Sequence, residues 1–541
     1  MPHVNSGSSR KYDVIIIGGG HNGLVAAAYL ARAGLKVCVL ERRHMIGGAC
    51  ITEEVVPGFK VSTAAYVNSL FRPKIIRDLR LREFGLELLE RNPSSFTPFP
   101  DGRYLLLGPD GALNQREISK FSERDAAQFT RYEETLNRIA SFVEPTLMRT
   151  PPDPLSRNPR DWLALARMAY DFRKLGQEAY GLIEMLSMSA WELLDEWFES
   201  EELKVTLATD GIIGTNGGPL TPGTAYVLFH HVMGETNGVR GVWAYVKGGM
   251  GALTSALAQS ARSSGAVITC NAPVAQILVQ NGRACGVKLE NGEEIASRII
   301  ISNADPNVTF LKLLKGAELP SDFVKAVKHI DYSSGSAKIN VLLNEPPKFN
   351  ALPTEGVGLQ HRGTIHISPT LEYMERAWEE SKNGAPSSNP ILEVTIPSAV
   401  DSTIAPPGKH IMGMFVQYAP YSLHNATWDD STKNAFADRC LEILAEYAPN
   451  VRNSVIQRQI LTPVDIEREF ALTGGNIFQG AMHLNQLLFM RPVPGWAKYR
   501  TPIRGLYLCG ACTHPGGGVM GACGHNAALE VLRDLRSRIL S

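Results

Sequence analysis

The segment YDVIIIGGGHNGLVAAAYLARAGLKVCVLE, residues 12–41, constrains the fold more than any other part of the chain. Its apolar run at 14–17 is typical of a strand that is buried on both faces. Gly18, Gly20 and Gly23 follow it as a GxGxxG pattern. The first glycine permits a tight turn, the second lets a pyrophosphate approach the backbone, and the third lets a helix pack against the strand. The sequence therefore predicts a strand, a glycine turn, a helix and a second strand of a nucleotide-binding α/β fold.

The second predicted strand ends at Glu41, where an acid accepts hydrogen bonds from a ribose. A carboxylate there would repel a 2′-phosphate, which argues against NADP. The doublet Gly47-Gly48 comes six residues later, and its backbone can pass close to a second part of a long cofactor. A further glycine turn at Gly249 has Thr254 in the place of the third glycine, so we expect no separate NAD site there.

A third glycine-rich segment, GLYLCGACTHPGGGVMGACGHNAALEVLRDL, covers residues 505–535. It predicts an apolar strand, a glycine loop and a helix that runs to the end of the segment. Together with ERRHMIGGACITEEVVPGF at 41–59, it resembles the phytoene desaturase and carotene ketolase branch of the glycine-doublet FAD flavoproteins, a superfamily that includes amine oxidases.

This resemblance implies FAD and assigns contacts to it. We expect the link to be non-covalent, because no segment with His or Cys is clearly presented to the flavin methyl groups. The doublet would contact the diphosphate and ribityl region, and the last helix would face the flavin with its positive end. Many members have Arg after the doublet, and carotenoid-type relatives share the Ala49 found here. Thr513 or backbone groups would replace the usual acid beside the ribityl chain. The residues expected to bind the cofactor are Gly18, Gly20, Gly23, Glu41, Arg42, Gly47, Gly48, Ala49, Val274, Gly510, Thr513 and Gly521.

Cys50 lies two residues after the doublet, where flavin disulfide reductases carry one of their two redox cysteines. Their pair has the spacing C-x4-C, and the partner position here is Val55. Cys509 and Cys512 form a C-x-x-C, but they close a predicted strand, so no helix dipole would lower a thiol pKa. We therefore predict that the protein is not a disulfide reductase.

Histidines are the candidates for acid–base or electrostatic roles. His514 and His525 flank the predicted flavin loop and are weak candidates for catalysis. His230 and His231 are adjacent, but no Cys, Asp or Glu accompanies them at ligand spacing, so no metal site is predicted.

The three cofactor segments are separated by long stretches that must supply a second domain. The predicted fold class is α/β, with a Rossmann-like FAD-binding domain of the amine oxidase and phytoene desaturase type interleaved with an α+β substrate domain. The predicted ranges are 11–75, 241–310 and 456–541 for the FAD-binding domain, 76–240 and 311–455 for the substrate or cap domain, and 1–10 for a flexible tail.

Composition limits the partners. Lys plus Arg and Asp plus Glu both number 54, so no overall charge favours nucleic acid. No apolar run reaches the ~18 residues of a spanning helix, although contact with a membrane surface is compatible with the sequence. The start of the chain does not resemble a secretory signal, and the eight cysteines are too sparse for a disulfide scaffold, so we expect a cytoplasmic or mitochondrial matrix protein.

The predicted function is an FAD-dependent oxidoreductase in which a small lipophilic substrate gives a hydride to flavin N5. The electron acceptor and the oligomeric state are left open. Two alternatives remain at this point. One is a carotenoid desaturase or ketolase, and the other is a flavin-fold regulatory or interaction protein with little turnover.

Overall fold

A five-stranded parallel sheet forms the centre of the first domain in the computed structural model, which describes residues 12–537. The flexible tail predicted at 1–10 lies outside the described residues. In spatial order the strands are Val267–Thr269, Val37–Leu40, Val14–Ile17, Ile299–Ser302 and Leu506–Leu508. The three central strands are buried on both faces, as their apolar runs predict.

Helices cover one face of this sheet, and a meander covers the other. The helices are His21–Arg32, Met250–Ser263 and Ala522–Arg536. The antiparallel meander comprises Val274–Gln280, Arg283–Leu289 and Glu294–Ala296. Side chains of the strands alternate between the two cores, because successive residues of a strand point to opposite faces.

The second domain contains a seven-stranded sheet. In spatial order its strands are Val455–Leu461, Ser336–Leu343, His410–Gln417, Ile391–Thr395, Thr364–Ile367, Ser95–Pro98 and Tyr104–Leu107. Helix Asp430–Tyr447 packs on one face of it. A helical layer completes the domain, with helices Gly111–Ser119, Glu123–Leu147, Pro159–Arg173, Glu178–Ser187, Ala190–Trp197, Glu201–Ile212 and Thr224–Val232.

The remaining elements are short. The helices are Pro73–Asp78, Ser321–Lys328, Leu371–Lys382, Val451–Ser454 and Pro463–Phe470. Three two-stranded ribbons pair Thr52–Val56 with Phe59–Ser62, Leu88–Glu90 with Ala244–Val246, and Glu235–Thr236 with Val239–Arg240. Within residues 12–537, no helix is both long and apolar enough to cross a membrane.

Two predicted domain boundaries fall inside structural units. Strand Val455–Leu461 pairs antiparallel with Ser336–Leu343 in the second sheet, so the boundary at 456 has to move beyond Leu461. At the first boundary, helix Pro73–Asp78 spans residue 75, and the chain after it stays in the first core through Leu86. Both shifts arise from long-range packing that local spacing does not encode.

Candidate functional site: a dinucleotide site beside a charged cavity

The glycine turn leaves the start of the first helix open to an anion. Gly18 has a φ of +95°, and a Cβ on Gly23 would lie 2.3 Å from the carbonyl oxygen of Gly18. The helix begins at His21, and no side chain caps it at Gly20. Its first backbone N–H groups are therefore free to bind a phosphate.

Glu41 is fixed at the edge of this turn. Its Oε2 accepts a hydrogen bond from Gly19 N at 2.7 Å, and its Oε1 accepts one from Arg43 N at 2.9 Å. The side chain lies directly after strand Val37–Leu40 and is 6% exposed. Each carboxylate oxygen keeps a lone pair for a further donor, such as a ribose hydroxyl.

The glycine doublet lies against the turn. Gly47 N donates to Gly19 O at 2.9 Å. A Cβ on Gly48 would be 3.2 Å from the Cα of Gly20, so the two backbones approach closely only because both residues are glycine. The chain then continues to Ala49, whose carbonyl accepts a hydrogen bond from Ala65 N at 2.9 Å.

A cavity of about 220 Å³ runs along these groups at the carboxyl ends of the parallel strands. This edge is where open α/β sheets bind their ligands. Seven of the predicted cofactor residues line the cavity: Gly18, Gly20, Glu41, Arg42, Gly48, Ala49 and Val274. The guanidinium of Arg42 donates to the carbonyls of Arg468 and Glu469 at its rim.

The other five predicted residues do not line the cavity. Gly23 and Gly47 shape the backbone, as described above. A Cβ on Gly510 would lie 2.6 Å from Gln479 Oε1, and the Thr513 hydroxyl donates to Gly510 O at 2.8 Å. Gly521, with a φ of +70°, precedes the last helix and packs on Phe71.

Most of the other lining residues were not predicted, and Asn303, Gln479 and Arg43 are three of them. Asn303 follows strand Ile299–Ser302, and its Nδ2 would be 2.8 Å from a Cβ on Gly20. Gln479 Oε1 accepts a hydrogen bond from Cys512 N at 3.1 Å. Arg43 pairs with Glu53 through Nη2, while its Nη1 is buried without a partner. The sequence could have indicated Asn303, because it directly follows a predicted apolar strand. No pattern in the sequence indicates that Gln479 or Arg43 lines the cavity.

Comparison with known proteins identifies this arrangement. Residues 23–532 match the model of the family described as flavin containing amine oxidoreductase. The chain belongs to the flavin-containing amine oxidoreductases. The predicted fold class and the resemblance to glycine-doublet flavoproteins are thereby confirmed, and membership implies a flavin cofactor.

Members and structural neighbours of the family match over nearly the whole chain. The rat protein called pyridine nucleotide-disulfide oxidoreductase domain-containing protein 2 is 47% identical, over 97% of this chain and 94% of its own length. A phytoene desaturase (lycopene-forming) of Pseudescherichia vulneris is 26% identical, over 94% of this chain and 96% of its own. The crystal structure of an oxidoreductase from Methanosarcina mazei superposes with a TM-score of 0.61 at 18% identity, covering 96% of this chain and 99% of that one.

The two candidate histidines do not line the flavin-family cavity. His514 Nε2 donates to Thr146 O at 3.0 Å, and burial lowers the pKa of His514 to about 4. His525 hydrogen-bonds Asn526 and packs edge-on against Tyr29 at 4.9 Å.

Most of the cysteine side chains are buried. Cys50, Cys509 and Cys512 form no disulfide with one another or with another cysteine. Burial raises the pKa of Cys50 to about 12, and its Sγ lies 3.7 Å from Nδ1 of His21. Burial also raises the pKa values of Cys509 and Cys512 well above the usual range. None of these three is a thiolate at neutral pH. No group of His, Cys, Asp and Glu side chains within residues 12–537 could hold a metal ion.

A second cavity, of about 210 Å³, lies beyond the doublet in the substrate domain. Tyr66 lines this cavity and follows Ala65, whose N–H donates to Ala49 O. The Tyr66 hydroxyl donates to Glu393 Oε2 at 3.1 Å. His366 Nδ1 lies 3.9 Å from the other Glu393 oxygen. We call this space the charged cavity. Its lining includes Tyr66, Arg91, Asp210, His231, His366 and Glu393.

Lys338 lies beside the charged cavity on strand Ser336–Leu343. Its Nζ is 4.4 Å from the centre of the Tyr66 ring and has no hydrogen-bond partner. A Cβ on Gly413 would be 2.4 Å from Nζ, so glycine on the neighbouring strand leaves room for the amine. Burial lowers the pKa of Lys338 to about 7, and burial next to Asp210 raises the pKa of Glu393 to about 8.

Proposed function

We propose that this protein is an FAD-dependent oxidoreductase that oxidises a small organic substrate in the charged cavity. One observation carries the proposal: the hydrogen bond from Ala65 N to Ala49 O joins a residue that lines the cofactor cavity to the segment that places Tyr66. The cofactor cavity and the charged cavity are therefore neighbours. When bound, FAD supplies the acceptor for the hydride at its N5 atom.

The residues present fit FAD. The free N–H groups at His21 suit a pyrophosphate, and Glu41 suits a ribose. The unpartnered Nη1 of Arg43 points to a buried positive charge at this cavity, which can replace the arginine that many relatives carry in place of Ala49. Non-covalent binding is supported by His514, whose ring is turned to Thr146.

The chain offers a proton acceptor beside the charged cavity. Removing a hydride from a C–H bond commonly requires that a neighbouring N–H or O–H lose its proton. A buried amine with a pKa of about 7 is suited to take a proton at neutral pH. Lys338 is such an amine, and an unpartnered buried amine is costly to retain without a role.

The lining of the cavity favours this proposal over the alternatives. A long polyene needs apolar walls, whereas charged and polar side chains line much of this cavity. A regulatory protein with little turnover would not need the buried, unpartnered amine of Lys338. A disulfide substrate finds no thiolate partner among Cys50, Cys509 and Cys512.

A membrane-surface contact is proposed from helix Pro159–Arg173. Trp162, Leu163 and Tyr170 are 56%, 73% and 64% exposed, and helical spacing places them on one face. Exposed basic residues accompany them: Arg157, Arg160, Arg167, Arg173 and Lys174. Aromatic and apolar side chains bordered by positive charge are suited to the surface of an anionic bilayer.

The experiment for the enzymatic proposal is anaerobic reduction of the bound flavin. Fractions of small molecules from a cell extract are mixed with the FAD-loaded protein, and absorbance near 450 nm is followed. We expect bleaching by at least one fraction, and about 100-fold slower bleaching in Lys338→Met at unchanged flavin content. Lys60→Met, at an exposed lysine, is the control. If no fraction bleaches the flavin, the proposed function is wrong. If Lys338→Met is bleached at the same rate as the wild-type protein, the role of Lys338 is wrong.

A further inference from the structure

Arg91 is a buried cation whose N–H groups are mostly left without a hydrogen-bond partner in the protein. It follows strand Leu88–Glu90 and is 3% exposed. Its Nη2 donates to Ser94 O at 2.9 Å, and its guanidinium lies 5.5 Å from the centre of the Tyr245 ring. Nε and Nη1 are buried and have no hydrogen-bond partner. Since Nε carries one hydrogen and Nη1 two, most of the N–H groups of Arg91 are unused.

The neighbouring carboxyl groups do not form an ion pair with this guanidinium. Glu393 and Asp210 line the same charged cavity, but neither is an ion-pair partner of Arg91 among the described residues. Burial raises the pKa of Glu393 to about 8 and also raises the pKa of Asp210, although the charge of Arg91 opposes both shifts. A desolvated guanidinium with unpaired N–H groups is strongly unfavourable unless an anion accepts hydrogen bonds from it.

We propose that the substrate carries a carboxylate and that Arg91 binds it. The planar guanidinium matches the two oxygens of a carboxylate in charge and geometry. Apolar side chains form part of the wall: Phe129, Leu136, Leu207, Ile213, Leu228 and Val232. The substrate class is therefore a small organic acid with an apolar body. This inference rests on the proposed function, because the ligand of Arg91 is a substrate only if the protein oxidises a compound in the charged cavity.

Charge selectivity tests the inference without turnover. The FAD-loaded protein is titrated by calorimetry with phenylacetate and with phenylacetamide, which has the same shape but no charge. We expect phenylacetate to bind at least about tenfold more tightly, a ratio set by the charged hydrogen bonds to Arg91. Equal affinity of the two compounds in the wild-type protein, or binding of neither, would overturn the proposal.

Variants locate the selectivity. Arg91→Met should remove the preference for phenylacetate, and Arg91→Lys should retain part of it. Arg240→Met is the matched control, since Arg240 also lines the cavity but its Nη2 is already paired with Glu144 at 2.7 Å. If the preference survives in Arg91→Met and is lost in Arg240→Met, Arg240 binds the carboxylate and the proposed role of Arg91 is wrong. Thermal unfolding and flavin content of each variant show whether it folds.

The two proposals fail in different ways. If the protein binds no flavin but still prefers phenylacetate through Arg91, the carboxylate site stands and the oxidoreductase function falls. If flavin binds and is bleached by an extract fraction, yet phenylacetate has no advantage over phenylacetamide, the function stands and the carboxylate site falls.

Discussion

At the scale of single residues, Glu41 is the most direct test of the cofactor site. Its carboxylate is held by Gly19 N and Arg43 N, so it is preorganised for two ribose hydroxyls. Hydrogen bonds to a charged acceptor contribute about 1.5–3 kcal/mol each. Glu41→Ala should therefore weaken FAD binding at least about tenfold, since ~1.4 kcal/mol corresponds to one decade.

Fluorescence titration of the apoprotein with FAD measures this change. Glu293→Gln, at an exposed acid in a turn of the meander, should leave the dissociation constant unchanged. An equal dissociation constant for Glu41→Ala and the wild-type protein would place the ribose elsewhere.

Cys50 is predicted to take no part in electron transfer. Its thiol is buried and protonated, and the chain has Val55 where a redox partner would lie. Titration with dithionite should consume two electrons per flavin in the wild-type protein and in Cys50→Ser alike. A four-electron endpoint that disappears in Cys50→Ser would restore a disulfide-reductase mechanism.

At the scale of elements, two helices that carry cofactor segments meet at a glycine. A Cβ on Gly524, in helix Ala522–Arg536, would lie 2.1 Å from Asn22 O in helix His21–Arg32. Gly524→Ala should lower the free energy of unfolding by about 1–3 kcal/mol, because the helices must separate. Urea unfolding measures it, and Gly111→Ala, where no atom lies within 4 Å, is the control. Equal midpoints for both variants would show that this helix contact is not close.

Sequence patterns reveal the cofactor half of the molecule better than the substrate half. The glycine turn at 18–23 and Glu41 are close in the chain, and their spacing alone predicts two strands of the first sheet and the helix between them. Arg91, Lys338 and Glu393 come from distant segments that the seven-stranded sheet and its neighbours bring together. No local period distinguishes such residues from ordinary surface charges, so their burial had to be seen in the structure.

The same limit explains the shifted boundary at 456. Strand Val455–Leu461 is continuous in sequence with the cofactor segment that follows it, yet its hydrogen bonds go to Ser336–Leu343. The partner of a strand is selected by packing between segments that are far apart in the sequence. The local sequence therefore does not show which strand it will pair with.

At the scale of the whole molecule, the exposed face of helix Pro159–Arg173 predicts binding to anionic vesicles. The protein should float with vesicles of phosphatidylcholine and phosphatidylglycerol but not with phosphatidylcholine alone. Replacing both Trp162 and Leu163 by Glu should lower the partition coefficient at least about tenfold, because two apolar side chains are lost. Val357→Glu, at another exposed apolar residue, is the control. Equal flotation of the double variant and the wild-type protein would remove helix Pro159–Arg173 from the contact.

The bound cofactor is the most direct test of the function proposed for the molecule as a whole. The purified protein, loaded with excess FAD and freed of unbound flavin, is denatured with acid, and the supernatant and the precipitated polypeptide are examined by absorbance and chromatography. We predict about one FAD per chain, all of it in the supernatant, since the cofactor cavity binds it through backbone N–H groups and Glu41. Flavin that stays on the polypeptide would contradict non-covalent binding, and the absence of flavin from both fractions would contradict the function itself.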